Sequence, residues 1–285
     1  MTLTRFAPSP TGLLHTGHGY AAMVAHRLAR ERGGCFRLRF EDIDSTRVRE
    51  EFYTAIEEDL LWLGLAWDGV AVRQSEGMEA YQHALARLQE AGVAYPCFCT
   101  RREIEEEIAR MASAPHGPEG ALYPGTCRNL SHDERAERIA SGLNPAWRLD
   151  ASAAASQTGS LTFTDRRFGE QVVDPSLLGD VVLARKDIGT AYHLAVVTDD
   201  ASQEITIVTR GEDLLPSTHV HRTLQALLGL KEPEYLHHPL ITDDQGRRLA
   251  KRDHDRSIRS LRESGTSVEE IFASFPSCVE YPTPN

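Results

Sequence analysis

Long apolar runs are missing from this 285-residue sequence. No stretch approaches the roughly 18 consecutive apolar residues that a membrane-spanning helix needs. The opening MTLTRFAPSP lacks a basic segment followed by an apolar one, so no secretory signal is read and a cytoplasmic protein is expected. Cysteine is scarce and odd in number: five in all, three of them gathered at positions 97, 99 and 127. That pattern argues against a disulfide framework and for reduced thiols with a metal site. Positive charge is in deficit, with 31 Lys and Arg against 42 Asp and Glu and a net charge of -11. A protein that grips nucleic acid by bulk charge alone is thereby excluded, and any RNA contact must come from a local basic patch. What is present is a 41% hydrophobic chain, long enough to bury a core without staples. Its length suggests two domains, or one large domain with an insertion.

The pattern along the chain points to an α/β fold. Residues 3–7 (LTRFA) form a short apolar run ended by PSPTG, which cannot be helical. From about Gly17 to Arg32, Tyr20, Met23, Val24, Arg27 and Leu28 recur at helical spacing, and Gly33-Gly34 ends the pattern. CFRLRFEDID alternates like a strand. Strand, turn, helix, strand is the opening of a parallel α/β sheet. Residues 48–63 and 78–91 read as amphipathic helices. From about residue 97 the character shifts: CFCT, the acidic helix REIEEEIARM, a Pro- and Gly-rich stretch, and short strand-like pieces at AWRL and SLTFTD. Roughly 95–190 reads as an insertion between two halves of the main sheet. The second half resumes with TAYHLAVVTDD and EITIVTRGED, both read as strands, then a helix at about 217–228.

Three constellations carry chemistry. His15-Thr16-Gly17-His18 stands at the head of a helix, where free N–H groups and the dipole favour phosphate, and two imidazoles can face a triphosphate. Arg248-Leu249-Ala250-Lys251-Arg252 follows the turn Asp243-Asp244-Gln245-Gly246, so a loop lysine can reach the same phosphates. Cys97, Cys99 and Cys127 form a thiolate set suited to zinc, with His116 and His132 open as further ligands on chemistry alone. Residues 247–262 also hold a local excess of base (Arg247, Arg248, Lys251, Arg252, Arg256, Arg259 and Arg262) that can meet RNA phosphate.

RFAPSPTGLLHTGHGYAA, the strand FRLRFEDID with the TR after it, and the late LxxK-type loop resemble the catalytic core of class I glutamyl-tRNA synthetases. The first tetrapeptide takes the place of the family's HIGH signature. Residues 248–252 take that of KMSKS, with Arg248 and Ala250 departing from the pattern and Lys251 on its second lysine. About 33 residues follow Arg252, which is too few for an anticodon-binding domain. The resemblance is therefore to the short paralogue family, the glutamyl-Q tRNA(Asp) synthetases.

The resemblance implies a Rossmann-like core in two halves, 1–95 and 191–285. A zinc-bearing, acceptor-type insertion would lie at 96–190, and the KMSKS-like loop and a short helical tail would lie in the second half. It implies ATP-dependent activation of glutamate, Mg²⁺ accompanying the ATP, and transfer of the glutamyl group to queuosine in the anticodon of tRNA(Asp). His15, Gly17, His18 and Lys251 would meet ATP, with His15, His18 and Lys251 catalytic. Arg5, Ala7, Ser9, Glu41, Tyr192 and Arg210 would meet glutamate: arginine forks suit its two carboxylates and an acid suits its ammonium. Val196 stands where full-length relatives carry an asparagine. One Zn²⁺ per chain would be held by Cys97, Cys99, Tyr123 and Cys127. The rivals are a truncated glutamyl-tRNA synthetase that needs a partner for anticodon binding, and a non-catalytic tRNA-binding paralogue.

Overall fold

A computed structural model describes residues 1–111, 116–118, 120–241 and 257–276. The first half runs β1 (Leu3–Phe6), α1 (Thr16–Arg30), β2 (Cys35–Phe40), α2 (Glu50–Trp62), β3 (Val72–Arg73) and α3 (Met78–Glu90). β1, β2 and β3 are parallel neighbours, with Arg5 opposite Arg37 and Arg39 opposite Val72. α1 covers this sheet because its apolar stripe (Tyr20, Met23, Val24, Leu28) meets Phe36, Leu38 and Phe40, all buried. The middle of the chain contributes β4 (Ala94–Cys97), α4 (Arg101–Arg110), the hairpin β5 (His116–Gly117) and β6 (Gly120–Ala121), and α5 (His132–Ala140). It continues through β7 (Ala146–Leu149), α6 (Ala151–Thr158), β8 (Thr162–Asp165), β9 (Gly169–Val172) and β10 (Val182–Ala184). β4, β7 and β10 form an antiparallel sheet with β7 in the centre.

The last part holds α7 (Tyr192–Ser202), β11 (Ile207–Gly211), α8 (Leu215–Leu227), β12 (Glu234–His238), α9 (Ile258–Glu263) and α10 (Val268–Ala273). β11 and β12 are parallel, with Arg210 opposite His237. The two halves meet where β11 lies beside β1. Thr206 N–H donates to Leu3 O at 3.0 Å, and Leu3 N–H donates to Thr206 Oγ1 at 2.8 Å. Strand β1 therefore runs between β2 and β11, and the ends of all three open onto one face. Ligands of α/β sheets collect at such strand ends.

Two expectations need correction. TAYHLAVVTDD is not a strand. It forms helix α7, in which Leu194, Ala195, Val196 and Val197 are all buried. A helix packed between α3 and α8 is apolar on more than one side and loses the 3.6-residue signature, so its short run looks like a strand. Residues 162–172 do not belong to a separate insertion either. β8 pairs with β12 in parallel, Tyr235 opposite Asp165, and β9 extends that sheet. SLTFTD carries a local strand signal, but the sheet it joins is decided by a pairing about 70 residues away.

Candidate active site

The two histidines at the start of α1 are folded onto each other by the helix terminus itself. His15 is the N-cap, with extended backbone, and its Nδ1 accepts the Gly17 N–H at 3.1 Å. His18 Nδ1 in turn accepts the His15 N–H at 3.3 Å, closing a capping box made of imidazoles. The rings stack with centroids 3.7 Å apart. A Cβ at position 17 would meet the His15 ring at 3.0 Å, so any side chain there would have to push that ring aside. An imidazole that accepts at Nδ1 is neutral there and carries its proton on Nε2, so both rings keep an N–H donor. Ser257 forms an antiparallel bridge with His15, and Ile258 N–H donates to Leu14 O at 2.8 Å. The chain thus returns to the histidine pair six residues after Lys251 in sequence. Lys251 itself, with Arg247, Arg248, Ala250, Arg252 and Arg256, lies outside the described residues. Arg259 and Arg262 pair with Glu58 at 3.3 and 3.9 Å, and Arg262 lies 3.7 Å from buried Asp59. Both are thus paired with α2 while staying partly exposed.

Next to the histidines, the exit of β1 is stitched to the end of β2. Glu41 N–H donates to Pro8 O at 2.9 Å, which sets Ala7 and Ser9 alongside Glu41. Arg5 is buried, and Asp200 of α7 grips it through Nε at 2.9 Å and a terminal nitrogen at 3.2 Å. Its other terminal nitrogen donates to Thr209 O. These bonds use three of five donors and leave a hydrogen on each terminal nitrogen. Arg39, wholly buried, donates to the same Asp200 at 2.8 Å and lies 3.7 and 3.8 Å from Asp199 and Glu41. Burial raises the Asp200 pKa, but Arg5 and Arg39 outweigh it and hold the carboxyl below its ordinary range. Glu41 goes the other way. Burial pushes its carboxyl up to about 7 against the pull of Arg39 and Arg5. Asp199 is clamped by Gln74 Nε2 at 2.6 Å and Tyr81 OH at 2.7 Å.

Arg210 stands on the neighbouring strand in a different setting. It is buried, yet among the described residues it makes no ion pair. Its Nε donates to His237 Nε2 at 3.2 Å, and one terminal nitrogen reaches His221 Nδ1 at 3.0 Å and Tyr192 OH at 3.4 Å. The other terminal nitrogen donates to Thr218 Oγ1. Burial and the Arg210 charge push His221 far below the ordinary imidazole range and His193 down to about 4. The surrounding acceptors are therefore uncharged. A buried cation with only neutral partners is costly until an anion arrives.

Arg5, Glu41, Tyr192 and Arg210, four residues singled out in the sequence, are thus brought into one region, with Ala7 and Ser9 at its edge. Arg39, Asp199, Asp200, Thr218, His221 and His237 complete it and were missed. The Asp-Asp pair sat at the end of a segment misread as a strand. The role of His237 depends on its register opposite Arg210, which no local pattern reveals.

The cysteine cluster lies at the end of β4. The Sγ atoms of Cys97, Cys99 and Cys127 lie within 4.8 Å of one another, and Cys97 and Cys127 are buried. Tyr123 OH is 3.5 Å from both Cys97 and Cys99 and accepts the Cys127 N–H at 2.9 Å. Phe98 N–H donates to Cys127 Sγ at 3.3 Å. The neighbouring Cys97 and this N–H lower the pKa of the Cys127 thiol. The guanidinium of Arg148 lies 3.9 Å above the Tyr123 ring. Three sulfurs and a phenol at these separations fit a soft divalent ion such as zinc. His132 is exposed at the head of α5, 3.6 Å from Asp133, and is not part of the cluster. The side chain of His116 lies outside the described atoms. A cavity of about 220 Å³ separates Tyr123, Arg148 and Asp180 from His193 of the arginine site.

Comparison with known proteins agrees with this architecture. The family model for the class I (E and Q) tRNA synthetase catalytic domain matches residues 1–275. The glutamyl-Q tRNA(Asp) synthetase of Rhodobacter capsulatus is 47% identical over 274 residues, covering 94% of this chain and 98% of that protein. That of Nocardia farcinica is 45% identical, covering 94% and 82%. The crystal structure of glutamate-tRNA synthetase from Elizabethkingia anophelis superposes with a TM-score of 0.75 at 30% identity. It is covered over 89% of this chain but only 53% of its own length, so the chain spans about half of that enzyme. With this match and these relatives, the chain belongs to the class I tRNA synthetase family of glutamate and glutamine type, among the glutamyl-Q tRNA(Asp) synthetases, which are ligases.

Proposed function

We propose that the protein activates glutamate with ATP and transfers the glutamyl group to the queuosine base in the anticodon of tRNA(Asp), in a cytoplasmic setting. The observation that carries the first step is the charge arrangement of the arginine site. Arg210 is a buried cation among neutral acceptors, Arg5 keeps two donors spare, and Glu41, its carboxyl lifted by burial to about 7, lies in the same region. A ligand with two carboxylates and one ammonium satisfies all three. Glutamine would leave one guanidinium without an anion.

In the first step an oxygen of the glutamate α-carboxylate attacks the α-phosphorus of ATP. The bond to the bridging oxygen breaks, and pyrophosphate leaves with its electron pair. The Nε2–H groups of His15 and His18 and the ammonium of Lys251 would stabilise the charge that moves onto the phosphates. In the second step a hydroxyl of the tRNA nucleoside attacks the glutamyl carbonyl, and AMP departs. Mg²⁺ would enter with ATP. Zinc, one ion per chain, would be held by Cys97, Cys99, Tyr123 and Cys127 and would staple the Pro- and Gly-rich segment between them. The queuosine and tRNA(Asp) assignment is supported by the family names.

Glutamate-dependent pyrophosphate exchange without RNA, followed by charging of tRNA(Asp) with and without queuosine, tests the proposal. Exchange without RNA and charging only of the queuosine-bearing tRNA are expected. Exchange that needs RNA would favour a truncated glutamyl-tRNA synthetase, and silence in both assays a non-catalytic paralogue.

A further inference from the structure

Because β11 and β12 are parallel and in register at Arg210 and His237, the two side chains lie on the same face of the sheet. Arg210 Nε can only donate, so His237 Nε2, 3.2 Å away, must offer its lone pair. The Thr218 hydroxyl, 3.0 Å from the same nitrogen, can donate to it while accepting from Arg210. A neutral ring with Nε2 bare carries its proton on Nδ1, and Nδ1 lies 2.6 Å from Asp165 Oδ2. That carboxylate cannot turn away. Oδ2 also accepts the His237 backbone N–H at 3.1 Å, and Oδ1 accepts the N–H groups of Arg167 and Phe168 at 2.8 and 2.9 Å. Asp165 and His237 are buried, so water does not compete.

We infer that His237, with its tautomer set by Asp165, is a positioning residue for Arg210 that orients the guanidinium without neutralising it. The contrast with Arg5 gives the reason. Arg5 is oriented by direct contact with a carboxylate, Asp200, which cancels much of its charge. At Arg210 the carboxylate is one imidazole further away. The ring supplies a fixed acceptor, and the charge stays available for a substrate carboxylate. His221 does the same from the other side, its Nδ1 on Arg210 and its Nε2 3.1 Å from His193 Nδ1. An acid in place of either ring would hold the arginine as firmly and would spoil its attraction for an anion. The inference rests on the reading that Arg210 meets a carboxylate of glutamate.

The test compares steady-state constants for exchange in the wild type, H237Q, H237L and R210A, with histidine ¹⁵N NMR of the wild type. Glutamine keeps a neutral acceptor toward Arg210 and a donor toward Asp165, whereas leucine fills space and offers neither. H237L should raise the glutamate KM by roughly tenfold or more, with the ATP KM nearly unchanged and kcat less affected. H237Q should recover most of the affinity. The NMR spectrum should show His237 with Nδ1 protonated and Nε2 bare. Equal losses in H237Q and H237L, or a parallel rise in the ATP KM, would reduce His237 to a packing residue and overturn the inference. A protonated Nε2 in the wild type would overturn it even if H237L failed to fold. If R210A itself left the glutamate KM unchanged, the substrate reading of Arg210 would fall instead.

Discussion

Glu41 shows how a single side chain acquires a working pKa. On sequence alone it is an acid at a strand end. In the fold, burial lifts its carboxyl to about 7, and Arg39 and Arg5 only partly oppose the rise. A carboxyl that receives an ammonium must be ionised, so binding glutamate should expel a proton near neutrality. Glutamate affinity should therefore increase between pH 6 and 8, and calorimetry near pH 6.5 in buffers of different ionisation enthalpy should register proton release. Glu41→Gln should bind more weakly and lose this pH dependence; a retained dependence would assign the proton to another group. The folding sign follows from the same shift. With its folded pKa raised, Glu41 binds more protons in the folded than in the unfolded state between about 4.5 and 7, so its contribution to stability falls as pH rises through 7. Saturating glutamate should accordingly raise the Tm more at pH 8 than at pH 6.

At the scale of an element, the head of α1 does two jobs with one pair of side chains. His15 caps the helix, and its ring stacks on that of His18, the pair proposed to meet ATP. The two roles can be separated, because asparagine caps a helix well but has no imidazole. His15→Asn should keep the wild-type Tm and lower glutamate-dependent exchange by about 10²–10³-fold. His15→Ala should show the same loss of exchange and also cost about 1 kcal/mol of stability, measurable by denaturant unfolding. The segment from β4 to Cys127 invites a second check. Metal analysis of protein purified without added zinc should find about one ion per chain, and Tyr123→Phe should lose it more readily to a chelator. Full retention in that variant would remove Tyr123 from the ligand set. The helix head was legible in sequence because caps, glycine and periodicity are local. Helix α7 was not, because neighbours on both of its sides erase the polar face that would have marked it.

The whole molecule is held at its centre by a charge network that crosses the chain. Asp200 belongs to α7, while Arg5 and Arg39 belong to β1 and β2, 195 and 161 residues away. One carboxylate thus fastens the second half of the core to the first within the arginine site. Removing its charge would leave two buried guanidinium groups short of an anion. Asp200→Asn should cost about 3–5 kcal/mol, seen as a lowered Tm and denaturation midpoint. A loss below 1 kcal/mol would mean that Asp199 and Glu41 suffice to hold Arg39. Arg262 over Asp59 repeats the device on a smaller scale, tying α9 to α2 just after the second signature.

The sequence by itself determined the parallel α/β class, the helix headed by His15 and the cysteine set, each from periodicity, capping, or residue types dense enough to read in one window; the arginines and acid of the candidate site came from the resemblance to the synthetase family. Only the tertiary structure decided that residues 162–172 join the core sheet, that Asp200 binds both Arg5 and Arg39, and that His237 stands against Arg210. The physical reason is common to all three. Strand register and buried charge pairing are set by contacts between residues tens to hundreds of positions apart, and such contacts leave no periodic trace in the segments that make them.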